Sequence, residues 1–365
     1  GSNLWGFKLH NRNILMKCEN ELGHAWKCKI DLEWLLDNNT LSNNYGNGTY
    51  ILTDNGLSFI KKNSTNIEDL VFQSVNGSMI QTPKSLLIYG SKLYIIGQDF
   101  YASDINTLEL LGKVAGFSNA SGCAIITKNR AFVCDKDESL VKLIDLNFYE
   151  ITSEIETGIN TSPSFIINKG NKSFILNSGN DQMNDSTIVT ITYKDNLIPL
   201  ADFSGNIILG KNPNSAILTG NVKVLCSGIY DVNDPSLNTE SSYYVIDPND
   251  LSILSSKTFT GIYNANNFLQ DNSRDNFYFS ALGGIYIYNR ISSSINLLNS
   301  IDTDLMRINY SEEYVINDST TSFSDMIYMN DLNNLGRVYK YNTTSEEFVD
   351  TIVFNGNVLD IAFKL

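Results

Sequence analysis

The 365-residue chain carries 26 basic against 40 acidic residues, a formal charge of -14 that repels phosphate backbones and disfavours nucleic acid as a partner. Its hydrophobic content of 42% suits a globular fold and argues against disorder, and no apolar run reaches the roughly 18 residues that a membrane-spanning helix needs. Five cysteines without a Cys-x-x-Cys pair exclude a disulfide scaffold and disfavour zinc or thioredoxin-like chemistry.

Taken in chain order, Gly1-Ser2 reads as a cloning scar, so an export leader or lipid anchor ahead of it stays open. Three strands are expected next, at Leu4 to Leu9, Asn13 to Cys18 and Ala25 to Leu32. A turn near Gly23 would set Cys18 opposite Cys28, a pairing that permits a disulfide in an oxidising compartment. Beyond residue 48, alternating β-branched and aromatic residues bounded by Asn, Asp, Gly and Ser dominate. Thr49 to Ile60 supplies two strands and Asp69 to Phe72 a third. Innermost strands then recur near Ser85–Tyr89, Cys123–Thr127, Ser164–Ile167, Ser215–Leu218, Asn267–Gln270 and Leu305–Asn309. Each precedes a turn and a further strand, beginning at Leu93, Ala131, Ser173, Val222, Asn276 and Glu313. The unit at Tyr50 lacks an innermost strand, and Val358–Phe363 is an orphan strand at the other end of the chain. Pairing the two closes a circle and leaves no open sheet edge.

This pattern predicts an all-β propeller of seven blades over residues 49–365, preceded by a hairpin extension or extra blade in residues 1–48. Eight blades is the alternative, because Ala25 to Leu32 aligns with part of the Ala131 to Leu146 unit.

The repeated wording is Leu93-Tyr94-Ile95-Ile96 leading to Asp104-Ile105-Asn106-Thr107-Leu108-Glu109-Leu110-Leu111-Gly112-Lys113-Val114, with copies at Ala131 to Asp145, Tyr243 to Leu251, Ile285 to Asn289 and Val338 to Asn342. It resembles the repeat of YVTN-type (YncE-like) β-propellers, in which a Tyr-Val strand leads to a Val-Ile-Asp strand and a Thr-containing turn. The resemblance implies an exported bacterial protein, periplasmic or surface-anchored as a lipoprotein, that binds a ligand or partner. Some surface members capture corrinoids for uptake. The Gly-x-x-Pro turn of that family survives here only in part, at Thr82-Pro83, Ser162-Pro163 and Asn212-Pro213.

Chemistry-bearing motifs are scarce. The two histidines, His10 and His24, precede the repeat region, so a His-based triad or His-rich metal site within it is excluded. No P-loop, H-E-x-x-H or G-x-S-x-G pattern occurs, and no cofactor is expected. A glycosidase or lyase working through two carboxylates is the enzymatic alternative, and a protein-interaction scaffold using the disc rim is a third reading.

Loop length carries the remaining information, because repeat proteins place their variation on the loops of one face. The link between second and third strands is tight at Asp54-Asn55-Gly56 and Gly97 to Phe100 but enlarged at residues 177–186, 227–242 and 317–336. These links are expected to rim one face with Asn180, Asp181, Gln182, Tyr230, Asp231, Asp318 and Phe323, joined by Asp99, Phe100 and Tyr101. The set suits a small polar ligand, a glycan or corrinoid-like molecule, taken up by a monomer. Asp231, Asn233, Asp234 and Glu240 also present oxygens suited to Ca²⁺, although the Gly of an EF-type loop is absent. Most of the 19 tyrosines and 18 phenylalanines fall at alternating strand positions, which points to packing between blades.

Overall fold

A computed structural model describes residues 2–9, 12–21, 25–30, 44–180, 184–195, 197–300, 302–317 and 320–365. The chain divides into two units, Gly1–Asn44 and Tyr45–Leu365. In the first, β1 (Ser2–Leu9), β2 (Arg12–Glu21) and β3 (Ala25–Ile30) form an antiparallel sheet in that order. Cys18 lies opposite Cys28 in its register, as the hairpin reading expects.

The second unit holds seven four-stranded antiparallel sheets. Blade 1 contains β4 (Gly48–Thr53), β5 (Gly56–Lys61) and β6 (Ile67–Glu68), and the short helix α1 (Val71–Asn76) follows it. Blade 2 is β7 (Ser85–Tyr89), β8 (Lys92–Ile96), β9 (Phe100–Asp104) and β10 (Leu110–Val114). Blade 3 is β11 (Ala120–Thr127), β12 (Arg130–Asp135), β13 (Leu140–Asp145) and β14 (Glu150–Glu156). Blade 4 is β15 (Pro163–Lys169), β16 (Lys172–Asn177), β17 (Thr187–Thr192) and β18 (Ala201–Ile208). Blade 5 is β19 (Pro213–Thr219), β20 (Asn221–Cys226), β21 (Ser242–Ile246) and β22 (Ile253–Thr258). Blade 6 is β23 (Asn266–Gln270), β24 (Asn276–Ala281), β25 (Gly284–Asn289) and β26 (Ser294–Asn299). Blade 7 is β27 (Thr303–Asn317), β28 (Thr320–Asp331), β29 (Arg337–Asn342) and β30 (Glu347–Val353).

The last strand, β31 (Val358–Lys364), pairs with β4 from Val358↔Thr53 to Lys364↔Gly48 and supplies the missing innermost strand of blade 1. The ring is a seven-bladed β-propeller. Eight blades is ruled out by this closure, in which the first and last parts of the ring share one sheet.

Two expected elements differ. Asp69 to Phe72 is not the outer strand of blade 1: that strand is only Ile67–Glu68, and the chain then turns at Leu70 (φ 55°) into α1. Val71 and Phe72 are buried and Val75 packs beside them, a spacing that matches a helical turn. Glu313 does not start a second strand either. It continues β27, and what reads as a turn at Tyr310-Ser311 is a bulge between the Asn309↔Met326 and Glu312↔Ser324 pairs, with Ser311 at φ 54°.

The core consists of separate layers between neighbouring blades rather than one centre. Blades 5 and 6 meet through Tyr243, Phe268, Phe277 and Tyr288, with Phe277 stacked on Phe268 at 5.0 Å. Strand alternation assigns these aromatics to packing. Polar side chains at the start of the inner strands tie one blade to the next. Ser121 donates to the Pro163 carbonyl at 2.9 Å, and Asn214 donates to the Ala265 carbonyl at 2.9 Å. Gly122 allows this close approach, since a Cβ there would lie 3.2 Å from the backbone of both Phe165 and Ile166 in β15.

Candidate functional site

In each blade the link between second and third strands lies at the same end as the linker that enters that blade, so these segments together build one face of the disc. Hydrogen bonds join them in pairs, such as Gln98 N–H to the Gln81 carbonyl (2.8 Å) and Ser178 N–H to the Ser162 carbonyl (3.2 Å). On this face two links are enlarged, residues 178–186 of blade 4 and 227–241 of blade 5, and they are neighbours. The third expected enlargement does not belong here. In blade 7 the true link is residues 332–336, and the additional residues extend the β27–β28 hairpin at the opposite end of the blade.

The linker between blades 4 and 5 braces both insertions. Asn212 N–H donates to the Asp185 carbonyl (2.7 Å) and Lys211 Nζ to the Asn184 carbonyl (2.8 Å) on one side. On the other, Ser227 N–H reaches the Asn212 carbonyl (2.9 Å) and Gly228 N–H the Lys211 carbonyl (3.0 Å). Gly228 has φ 73° and packs so closely on Thr239 and Glu240 that a side chain would collide with their carbonyls.

The blade 5 insertion holds its own shape. Ile229 and Thr239 exchange backbone hydrogen bonds, and Asp231 Oδ1 accepts the N–H groups of Asn233 (2.8 Å) and Asp234 (3.1 Å). Asp234 accepts from Ser236 N–H (3.1 Å) at the start of a short 3₁₀ turn, Pro235–Leu237, and Glu240 accepts from Gly261 N–H (2.7 Å). The carboxylates considered for Ca²⁺ are thus aimed at backbone donors of the loop and of the following linker, and among the described residues no group of three or more metal-ligating side chains converges. The apolar side chains of the loop are exposed beside Asn233, Asp234 and Ser236: Val232 at 73%, Leu237 at 54% and Tyr230 at 38%. Tyr230 lies against Tyr263 from the next linker (centroids 5.3 Å apart), and Tyr263 accepts Leu282 N–H (2.9 Å) from blade 6, which leaves Leu282 exposed beside it.

The sequence-predicted residues are therefore divided. Tyr230, Asp231 and Asn180 lie on the two insertions, Asn180 exposed. Asp181, Gln182 and Asp318 lie outside the described residues. Phe323 is exposed, but on the blade 7 hairpin at the opposite face. Asp99, Phe100 and Tyr101 are interior groups: Phe100 stacks on Tyr94 (5.5 Å), Tyr101 accepts Gln81 N–H, and Asp99 is ion-paired with Lys113 (2.7 Å). Their position after a tight turn starts β9, where side chains enter the layers between blades. Tyr263 and Leu282 were not anticipated, since linkers and short turns carry no length signal.

Two inner-strand carboxyls are held above the ordinary carboxylate range. Burial raises Asp304, which accepts from Ser280 Oγ at 3.2 Å. Burial also raises Asp360, opposed by Arg307 (3.1 Å) and by the N–H groups of Leu86 and Ile361 (both 2.8 Å). Both histidines lie outside the described residues, and burial pushes the Cys226 thiol up to about 12, away from nucleophilic use.

No family model and no curated protein matches the sequence. Solved structures do. One is hydrazine synthase from Kuenenia stuttgartiensis (TM-score 0.60, 13% identity, 78% of this chain and 91% of that one). Another is a functionally unknown protein from Desulfotomaculum acetoxidans (0.61, 11%, 87% and 98%). A third is a quinonprotein alcohol dehydrogenase-like protein from Bacteroides thetaiotaomicron (0.56, 15%, 96% and 82%). At these identities the likeness is one of fold, and the differing functions named for these structures assign none to this propeller.

Proposed function

We propose that the protein is a non-enzymatic binding module that takes its ligand or partner on the face built by the blade 4 and blade 5 insertions. The observation that carries this reading is the blade 5 loop, in which Asp231 and Asp234 accept N–H groups of the loop itself and Glu240 holds Gly261 of the next linker, with Tyr230, Val232 and Leu237 exposed on this braced floor. A rigid aromatic platform with aliphatic neighbours and a polar rim suits a sugar ring or a corrinoid-like macrocycle better than a highly charged ligand. The resemblance to YVTN-type repeats supports an exported setting, in which the face would capture a nutrient outside the cell. Fractionation of cells making the native gene product tests that setting, and confinement to the cytoplasm would contradict it.

For the site itself, Tyr230→Ala is expected to weaken binding of a glycan or cobalamin found to bind by about tenfold, the scale of losing one stacked aromatic contact. Calorimetric titration reads the affinity and a thermal melt shows that the ring is intact. Affinity equal to that of the unmodified protein would remove Tyr230 from the site.

A further inference from the structure

The lengthened hairpin of blade 7 overhangs its sheet. β28 pairs with β29 from Met326↔Asn342 onward, and the Asp325 carbonyl accepts Thr343 N–H (3.1 Å), so Thr320–Phe323 runs past the end of β29 with backbone pairing on one side alone, to β27. The base of this arm is fixed. Asp325 accepts the N–H groups of Asn272 (2.7 Å) and Ser311 (3.2 Å), Tyr310 donates to the Gln270 carbonyl (2.8 Å), and Glu312 accepts from Tyr328 (2.8 Å) and Asn309 (3.0 Å) while pairing with Lys340 (2.5 Å).

Strand alternation gives the arm two different faces. Glu312, Tyr314, Ser322 and Ser324 face inward, where Tyr314 packs on the layer between blades 7 and 1. Glu313, Val315, Thr321 and Phe323 are all exposed, Val315 at 67% and Phe323 at 64%. Along the outer edge, Thr320 to Phe323 makes no further backbone hydrogen bond among the described residues, and it carries neither Lys nor Pro, two of the devices that normally blunt an open strand; the irregularity opposite it, between Val315 and Asn317, places its extra residue on β27. Beside it, the connection from β29 to β30 presents Glu346 and continues into Glu347, both exposed. Among the described residues, Glu313, Glu346 and Glu347 have no ion pair, and Lys340 is already taken by Glu312.

We infer that this arm is a strand-addition site, at which the edge Thr320–Phe323 receives an extended basic peptide segment of another protein as a third strand. Its backbone pairs with the open edge, alternate apolar side chains lie on Phe323 and Val315, and its Lys or Arg side chains, on the other face, meet Glu346 and Glu347. A second copy of this chain fits poorly. It would set these carboxylates against one another on chains that each carry -14, and a few residues of strand bury far less than the roughly 1,200 Å² of a stable interface.

Binding of a synthetic peptide of alternating Lys and Val to the full chain tests this at low ionic strength, by fluorescence anisotropy. The peptide is expected to bind, to weaken at least about tenfold when alternate backbone nitrogens are methylated, and to lose binding to the E346K/E347K variant and to Phe323→Ser, with thermal melts unchanged. No binding, equal affinity for the methylated peptide, or affinity untouched by these substitutions would overturn it. So would a dimer seen by sedimentation that dissociates in Phe323→Ser, which would assign the edge to a second copy.

Discussion

A chain ended at Asn357, without β31, is expected to lose the cooperatively folded ring. The removed strand buries Val358, Ile361 and Ala362 and packs Phe363 against Tyr328, at ring centroids 4.9 Å apart. Each large apolar side chain contributes about 1.5–3 kcal/mol on burial, so the strand's total is comparable with the roughly 5–15 kcal/mol that holds a typical domain folded. Truncation also exposes β4 as an unpaired, apolar edge, so loss of structure should be accompanied by aggregation. Circular dichroism melts and size-exclusion profiles would show this, and a truncated chain that melts like the whole one would mean that closure is not the source of stability.

Within β31 the decisive polar residue is Asp360. It joins three blades, accepting from Arg307 of blade 7 and from Leu86 N–H of blade 2 while sitting in blade 1. Asp360→Leu leaves the buried Leu86 N–H without its acceptor, a loss of about 1–3 kcal/mol. Because burial raises its folded-state pKa above the unfolded value, the stability linked to Asp360 is fullest at low pH and declines as pH rises through the folded value. Asp360→Asn should remove that dependence while retaining an acceptor for Leu86.

The second large effect is expected from Lys142→Met in blade 3. Lys142 is almost fully buried and contacts Asp135 (3.0 Å), Glu138 (2.7 Å) and the Gly116 carbonyl (2.6 Å). Asp135 is itself wholly buried and also accepts the N–H groups of Ser118 and Asn119, so it anchors the linker that enters the blade. Removing the cation leaves that carboxylate buried without its counter-charge, which costs about 3–5 kcal/mol. Urea unfolding monitored by fluorescence measures it, and a change below about 1 kcal/mol would show that the backbone donors alone suffice for Asp135.

The pH profile supplies an independent sign. Burial alone would lower Lys142, but Glu138 and Asp135 more than offset it, so its pKa lies above the ordinary lysine value. Its contribution is present at neutral pH and is lost as pH rises through that folded value. Glu138 is held below the ordinary carboxylate value by Lys142 and then by Ser118, and its contribution disappears as pH falls through its own folded value. Lys142→Met should flatten both limbs.

The strands that build blades were legible because their chemistry is local. Alternation at Leu93 to Ile96 or Ala131 to Asp135 needs only the blade's own two-residue period, and the orphan at Val358–Phe363 had one open partner, β4. Blade 7 was harder, because Asn309-Tyr310-Ser311-Glu312 has the composition of a turn, and partners distant in sequence, the Gln270 carbonyl of blade 6 for Tyr310 and Asp325 for Ser311 N–H, hold it as a bulge inside one long strand. The geometry of the candidate site was legible only in part. Loop length located the blade 5 insertion, yet whether a residue such as Tyr101 faces solvent or a neighbouring blade depends on chain that is distant in sequence. Tyr263 and Leu282 join Tyr230 only because successive blades curl around one axis.

Replacement of residues 229–240 by a short Gly-Ser turn, followed by calorimetric titration of the ligands found for the intact chain in a panel of oligosaccharides and cobalamin, tests the proposed binding face most directly. Binding abolished, with the melting temperature of the ring retained, is the predicted result. A ligand of the intact chain whose affinity survives this replacement would place the binding site elsewhere.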